Sequence, residues 1–320
     1  MHDIEKHPYG FKFTLESVIN RICNYGMARW VATAFGAVVL PVILHAQPSA
    51  HYVPGTEGLE GSSLPPPGIY LRDYSVAYTA DRINNASGHE INGIGANAFI
   101  FANVPRLIWI TNTKVLDGNI GFDLVMPIEY TSVRVKAADF DSSTWGLGDA
   151  FTEITLSWHS PHLDTAVGYG VWVPTGTSAA GLNTKAGAGF WTNMFTAGAT
   201  WSFDTDRTWT LSLLNRYEIS SKDRDMDLTP GDTYTLEWGL GYAPSKIMTV
   251  GLVGYYQTEV NLATGAAANP DRSSVVGVGP EVSGSIPGAK LLWSLRYVDE
   301  VEAKSRFQGN TIVLTLTKIF

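Results

Sequence analysis

The chain has 320 residues, 45% of them hydrophobic and only 16% charged, with 32 glycines and 10 tryptophans. So apolar a chain with a net charge of −8 is not disordered, and its acidic balance leaves no basic footprint for a nucleic-acid partner. A single cysteine, Cys23, excludes a disulfide scaffold and a cysteine-rich zinc site.

Residues 1–46 read as a secretory signal peptide. An apolar run over 30–44 follows Arg21 and Arg29, closes at His45-Ala46, and no acid lies between Glu16 and Glu57. The run is short for a helix that spans a bilayer. The stretch before Met27 adds no pattern to a signal, so initiation at Met27 stands beside initiation at Met1. Cleavage after Ala46 leaves 18 basic and 27 acidic residues, no cysteine, and no unbroken apolar segment of spanning length. Residues 47–67 are rich in Pro, Gly and Ser and too short to fold alone. They are expected to form a periplasmic leader.

From residue 68 to 320 the chain alternates with period two. Ile120, Phe122, Leu124, Met126, Ile128 and Tyr130 oppose Gly121, Asp123 and Glu129. Trp209, Leu211, Leu213, Tyr217 and Ile219 oppose Thr210, Ser212, Arg216 and Glu218. Tyr234, Leu236, Trp238, Leu240 and Tyr242 oppose Thr233, Thr235, Glu237 and two glycines. Each is a strand with one apolar and one polar face, and no long segment shows a helical period. The pattern predicts strands near 68–82, 98–115, 119–134, 147–159, 163–174, 189–203, 208–220, 233–243, 247–258, 274–285, 290–302 and 308–320.

A soluble sandwich also alternates. Three features favour a membrane barrel instead. Aromatics end the apolar faces, as girdles do at the two interfaces. The opposite face carries Gly, Ser and Thr with single charges, which suits a lumen. Short connections (116–119, 160–164, 204–208, 243–246, 286–289) alternate with long polar ones (135–146, 175–187, 221–232, 259–273), as periplasmic turns and outside loops do. The expected fold is therefore all-β: a closed antiparallel transmembrane β-barrel of twelve strands. Fourteen is the alternative, because the region 81–115 leaves room for a separate strand over 92–104.

The last strand ends at Phe320, with Ile312, Leu314 and Leu316 on the same face. It resembles the carboxy-terminal signal that the barrel-assembly machinery reads. Lys318 departs from that apolar pattern, although an interfacial lysine can snorkel. Short motifs in order carry a wider resemblance: Pro67-Gly68-Ile69-Tyr70, Met126-Pro127, Gly146-Leu147-Gly148-Asp149, Leu156-Ser157-Trp158-His159, Val173-Pro174-Thr175-Gly176 and Gly241-Tyr242-Ala243-Pro244-Ser245-Lys246. From about residue 65 to the end the chain resembles the meta-pathway phenol-degradation family of outer-membrane proteins. The resemblance implies passage of aromatic or other hydrophobic compounds, and it brings no catalytic residues.

Alternation places Asp123, Glu129, Glu153, Glu218, Glu237 and Glu281 on the inward face, with Arg216, Arg296 and His159. One reading has these residues line and tune a passage with weak cation preference. The other has them pair across a narrow lumen and hold the barrel together. Ser157 and His159 share a face, as in a membrane-embedded hydrolase, but neighbours two apart on a strand stand too far apart for a nucleophile and its base. His159 and His162 flank a turn with no third metal ligand. The loop run Lys222-Asp223-Arg224-Asp225-Met226-Asp227 suits either a cation that bridges lipopolysaccharide or a solvated surface. The expected product is an exported barrel in the outer membrane of a Gram-negative cell, in contact with lipid and lipopolysaccharide. No reaction, cofactor or metal is expected. Its leading function is passive uptake of small hydrophobic or aromatic compounds, with a closed-lumen structural barrel as the alternative and a hydrolase third.

Overall fold

A computed structural model describes residues 50–178 and 184–320; the signal segment 1–46 lies outside the described residues. The alternating segments form one sheet of fourteen strands. These are β1 (Gly68–Ile83), β2 (Ala96–Val115), β3 (Gly118–Val125), β4 (Ile128–Val135), β5 (Phe140–Leu147), β6 (Ala150–His159) and β7 (Leu163–Val173). They continue with β8 (Thr192–Ser202), β9 (Trp209–Ser220), β10 (Thr233–Ser245), β11 (Met248–Glu259), β12 (Ser274–Ile286), β13 (Leu291–Lys304) and β14 (Phe307–Ile319). β1 pairs with both β2 and β14, Tyr74 lying opposite Val104 on one side and Thr315 on the other. Closure leaves no continuous open edge for another chain to add to.

Fourteen segments make twelve staves. β3 and β4 are one run interrupted at Met126-Pro127, and both lie on β2. β5 and β6 are one run interrupted at Gly148-Asp149, pairing with β4 and β3 in turn. Pro127 has no N–H to give the ladder, so pairing breaks there. Gly148 N donates to the Pro127 carbonyl at 2.9 Å across the break. The barrel is thus twelve strands around, with two of them split, and 92–104 yields no separate strand.

One expected loop is different. The span 135–146 is a tight turn at Lys136–Ala138, with Asp139 in the left-handed region at φ 51, followed by β5. β5 carries Asp141, Ser142, Ser143 and Thr144, so neither face shows an apolar run that alternation can detect. Thr144 Oγ1 donates to the Thr184 carbonyl at 3.0 Å and Thr177 N to the Leu147 carbonyl at 2.7 Å, so the loop after β7 covers the side of β5 that pairs with no strand.

The apolar faces point outward. Leu252 is 51% exposed and Leu213 42%, while their strand neighbours Val253 and Ser212 are buried. Trp238 and Trp293 lie on that same outer face, half-buried against Gly254 and Gly284. Aromatic pairs gather in two bands. Trp109–Phe122 and Trp209–Tyr242 sit at the short-turn end, with ring centroids 5.5 and 4.7 Å apart. Tyr169–Phe195 and Tyr130–Trp145 lie toward the long-loop end at 5.3 and 5.4 Å. Among the described residues no helix is long and apolar enough to cross a membrane; this barrel presents its strands instead. At the carboxy terminus Phe320 is exposed, and Lys318 Nζ donates to the Ala289 carbonyl at 2.6 Å.

Candidate functional site: the barrel lumen

Inside, the wall meets a segment of the same chain. Residues 50–67 run through the lumen from the start of β1, at the short-turn end, to the long-loop end. Ser63 Oγ donates to Asp164 on β7 at 2.8 Å, and Ser62 Oγ to the Leu213 carbonyl on β9 at 2.6 Å. Leu59 N donates to Glu281 on β12 at 3.1 Å. Higher up, the backbone N–H groups of His51 and Tyr52 share Glu218 Oε1, each at 3.1 Å, and the Tyr52 hydroxyl donates to Glu237. The expected periplasmic leader is therefore found within the barrel over its described part, 50–67. Its polar backbone explains the difference. A short segment with no core of its own satisfies its N–H and C=O groups on inward side chains, which themselves need partners.

The wall makes room for this segment. A Cβ on Gly239 would stand 2.7 Å from Leu59 Cα. Gly58 turns the segment at φ +77, where a Cβ would meet Glu281 Oε2 at 2.2 Å.

Charge converges on Glu57. Its carboxylate lies 2.7 Å from Arg106 on β2, 3.2 Å from Arg216 on β9 and 3.4 Å from Arg72 on β1. The Tyr74 hydroxyl donates to it at 3.1 Å. Arg106 also donates through Nε to Asp123 at 2.7 Å. The Arg216 guanidinium lies over the Tyr52 ring, 3.9 Å from its centroid. A second cluster joins Arg296 Nε to Glu281 at 3.2 Å and Arg296 Nη1 to the Gly55 and Thr56 carbonyls.

A third group ties the segment to the split wall. Asp149, at the break between β5 and β6, accepts from Gly176 N and Ala188 N at 2.7 Å each, and its Oδ2 lies 2.9 Å from His51 Nε2. The His51 ring stacks on Trp172 at 5.3 Å and meets Phe190 edge-on at 4.7 Å.

The structure thus brings Asp123, Glu153, Arg216, Glu218, Glu237, Glu281 and Arg296 to the buried inner face. Thr196 donates to Glu153 at 2.7 Å. Glu129 is only partly buried and stands beside Gly148 at the wall break. His159 stands at the short-turn end, 3.1 Å from Asp164, the carboxylate that also accepts from Ser63 and pairs with Arg207. Ser157 Oγ is buried without a hydrogen-bond partner among the described residues, so it is not within reach of His159 as a nucleophile would be. Among those residues no group of three His, Cys, Asp or Glu is placed to hold a metal ion. In the loop over 221–232, Asp227 pairs with Lys222 at 2.7 Å, which holds its carboxyl below the ordinary carboxylate range, and Asp223 lies 3.4 Å from Lys185.

Sequence reasoning missed His51, Tyr52, Glu57, Arg72, Tyr74, Arg106 and Asp149. Strand parity held a signal for two of them, since Arg72 and Arg106 face each other in register on β1 and β2. Nothing local to Glu57 announces three arginine partners, two of them 49 and 159 residues away.

The fold has solved relatives. The COG4313 outer membrane channel from Pseudomonas putida F1 is similar with a TM-score of 0.73 and 13% identity, over 84% of this chain and all of that one. The beta domain of the Bordetella autotransporter BrkA is similar at a TM-score of 0.48 and 13% identity, over 79% of this chain and 99% of that one. No curated protein matches the chain. Residues 80–316 match the family described as "Putative MetA-pathway of phenol degradation". Over most of its length, then, the chain belongs to the phenol-degradation MetA-pathway family, here built as an outer-membrane type of β-barrel.

Proposed function

We propose that the protein is an outer-membrane channel for passive uptake of small hydrophobic or aromatic compounds, and not an enzyme. One observation carries this reading: the lumen is filled by a separate segment, residues 50–67, instead of by inward side chains of the wall alone. A barrel of about eight strands is filled by its own side chains, and one of sixteen or more holds a water channel. Twelve staves leave an intermediate bore, and here a piece of chain that is not part of the wall occupies it. Family membership supports the solute class, and the apolar belts of the outer face support residence in lipid. On this reading residues 1–46 export the chain, the strand ending at Phe320 is offered to the barrel-assembly machinery, and the long loops face lipopolysaccharide.

The competing reading, a closed structural barrel, draws on the number of bonds that hold 50–67 in place. Uptake of phenol, toluene and a neutral sugar by cells with and without the protein separates the two. The channel reading expects faster entry of both aromatic compounds and no change for the sugar. Equal entry of all three in both cell types would overturn it.

A further inference from the structure

The arginines around Glu57 belong to the wall, not to the segment they hold. Arg72, Arg106 and Arg216 come from three different strands and, with the Tyr74 hydroxyl, aim four donors at one carboxylate. Asp123 fixes Arg106 through its Nε, so that guanidinium keeps its aim whatever carboxylate it meets. Three wall cations meet at one carboxylate here, with Asp123 paired to Arg106 and Glu153 lining the adjoining cavity.

A cavity of about 30 Å³ opens beside the cluster; Arg72, Arg106 and Arg216 line its polar side together with Glu57 and Glu153, and Ile108, Ala166 and Leu214 line its apolar side. Arg216 is 5% exposed, and its Nε and Nη1 have no hydrogen-bond partner among the described residues. Planar guanidiniums match a carboxylate with paired N–H donors, and an apolar wall beside them matches a hydrocarbon body. Buried cations also require an anion, because desolvating them unpaired is costly. Within this chain Glu57 supplies that anion.

From this geometry we infer that Glu57 occupies a wall-borne site for small aromatic carboxylates, which enter by exchanging with it. The inference deepens the channel reading and rests on it for physiological meaning, but binding itself does not require passage. An incoming carboxylate repeats the bonds of Glu57, so no guanidinium is left bare once the exchange is complete. The cavity has room for no more than a water or two, so an aromatic ring enters only as residues 57–65 move aside. Ligand binding and release of the segment are then one event, and the wild-type affinity is lowered by the cost of that release.

The test is a calorimetric titration of sodium benzoate into the mature protein in detergent micelles, with benzyl alcohol as the neutral counterpart. Glu57→Gln removes the internal anion, and benzoate should bind this variant on the order of tenfold more tightly than wild type. Adding Arg106→Gln to that background should abolish the gain, and benzyl alcohol should respond to neither change. Heat-dependent gel mobility confirms that each barrel is folded. Equal benzoate affinity in wild type and Glu57→Gln, or benzyl alcohol binding as well as benzoate, would overturn the inference. If Glu57→Gln does not fold, the wild type decides alone: benzoate but not benzyl alcohol must raise its thermal unfolding temperature, and equal shifts would sink the idea. Failure of aromatic uptake with benzoate binding intact would instead count against the channel reading.

Discussion

The outer face and the inner face of this barrel are built on opposite rules. Outside, each side chain answers to the lipid alone, and Leu213 or Leu252 needs only to be apolar at the right parity. Inside, the charges answer to specific partners, on a neighbouring strand as for Arg296 and Glu281 or on the 50–67 segment as for Arg216 and Glu57. Glu57 is held by three arginines, Glu218 by two backbone N–H groups, and Asp149 by two loop amides and a histidine. One-dimensional alternation can specify the first face, whereas the second exists only after the sheet has closed.

That contrast orders the expected effects of substitution. The largest is inside. Glu57→Ala leaves three guanidiniums facing one another with no central anion, and removal of one partner from a buried ionic cluster costs about 3–5 kcal/mol. Urea unfolding from vesicles should show the loss, and a change below the scatter of the wild type would mean that the cluster is hydrated and loose. Next comes the outer face. Leu213 lies midway between the belt residues Trp209 and Tyr217, and Leu213→Arg there should cost about 2–4 kcal/mol in the same assay. A neutral result would mean that this face does not meet lipid. The smallest is Ser62→Ala, which deletes one hydrogen bond to the Leu213 carbonyl and should cost about 1 kcal/mol. It should loosen the segment without altering the wall, so wall hydrogen exchange should stay as in wild type while amides near residue 62 exchange faster.

The same contrast explains what could be read in advance. Twelve strand positions announce themselves by apolar alternation, as β9 does from Trp209 to Ile219, because burial in lipid is a property each residue carries by itself. β5 did not, since its polar residues lie beyond the belts and pair with the loop at Thr177 and Thr184. Inward acids such as Glu153 and Glu237 were legible by parity, but their partners were not. The segment 47–67 read as a leader because Pro, Gly and Ser carry no periodic signal, although His51, Tyr52 and Glu57 within it are groups able to meet buried charge. Proximity of residue 57 to residue 216 is a fact of closure, and no window of sequence contains both.

The central claim is that residues 50–67 lie inside the barrel against its wall. An ideal Cβ on Gly198 of β8 stands 2.8 Å from Ser62 Cβ, so the segment must move off the wall by about 1 Å to reach the Cβ separation of a disulfide. The pair Ser62→Cys with Gly198→Cys can be made in a chain whose one native cysteine, Cys23, is changed to serine. In folded protein in membranes, oxidation should consume both thiols and give a cross-linked species of altered gel mobility. Two thiols that remain free under oxidation, and that a water-soluble maleimide labels without unfolding the barrel, would show that the segment lies elsewhere.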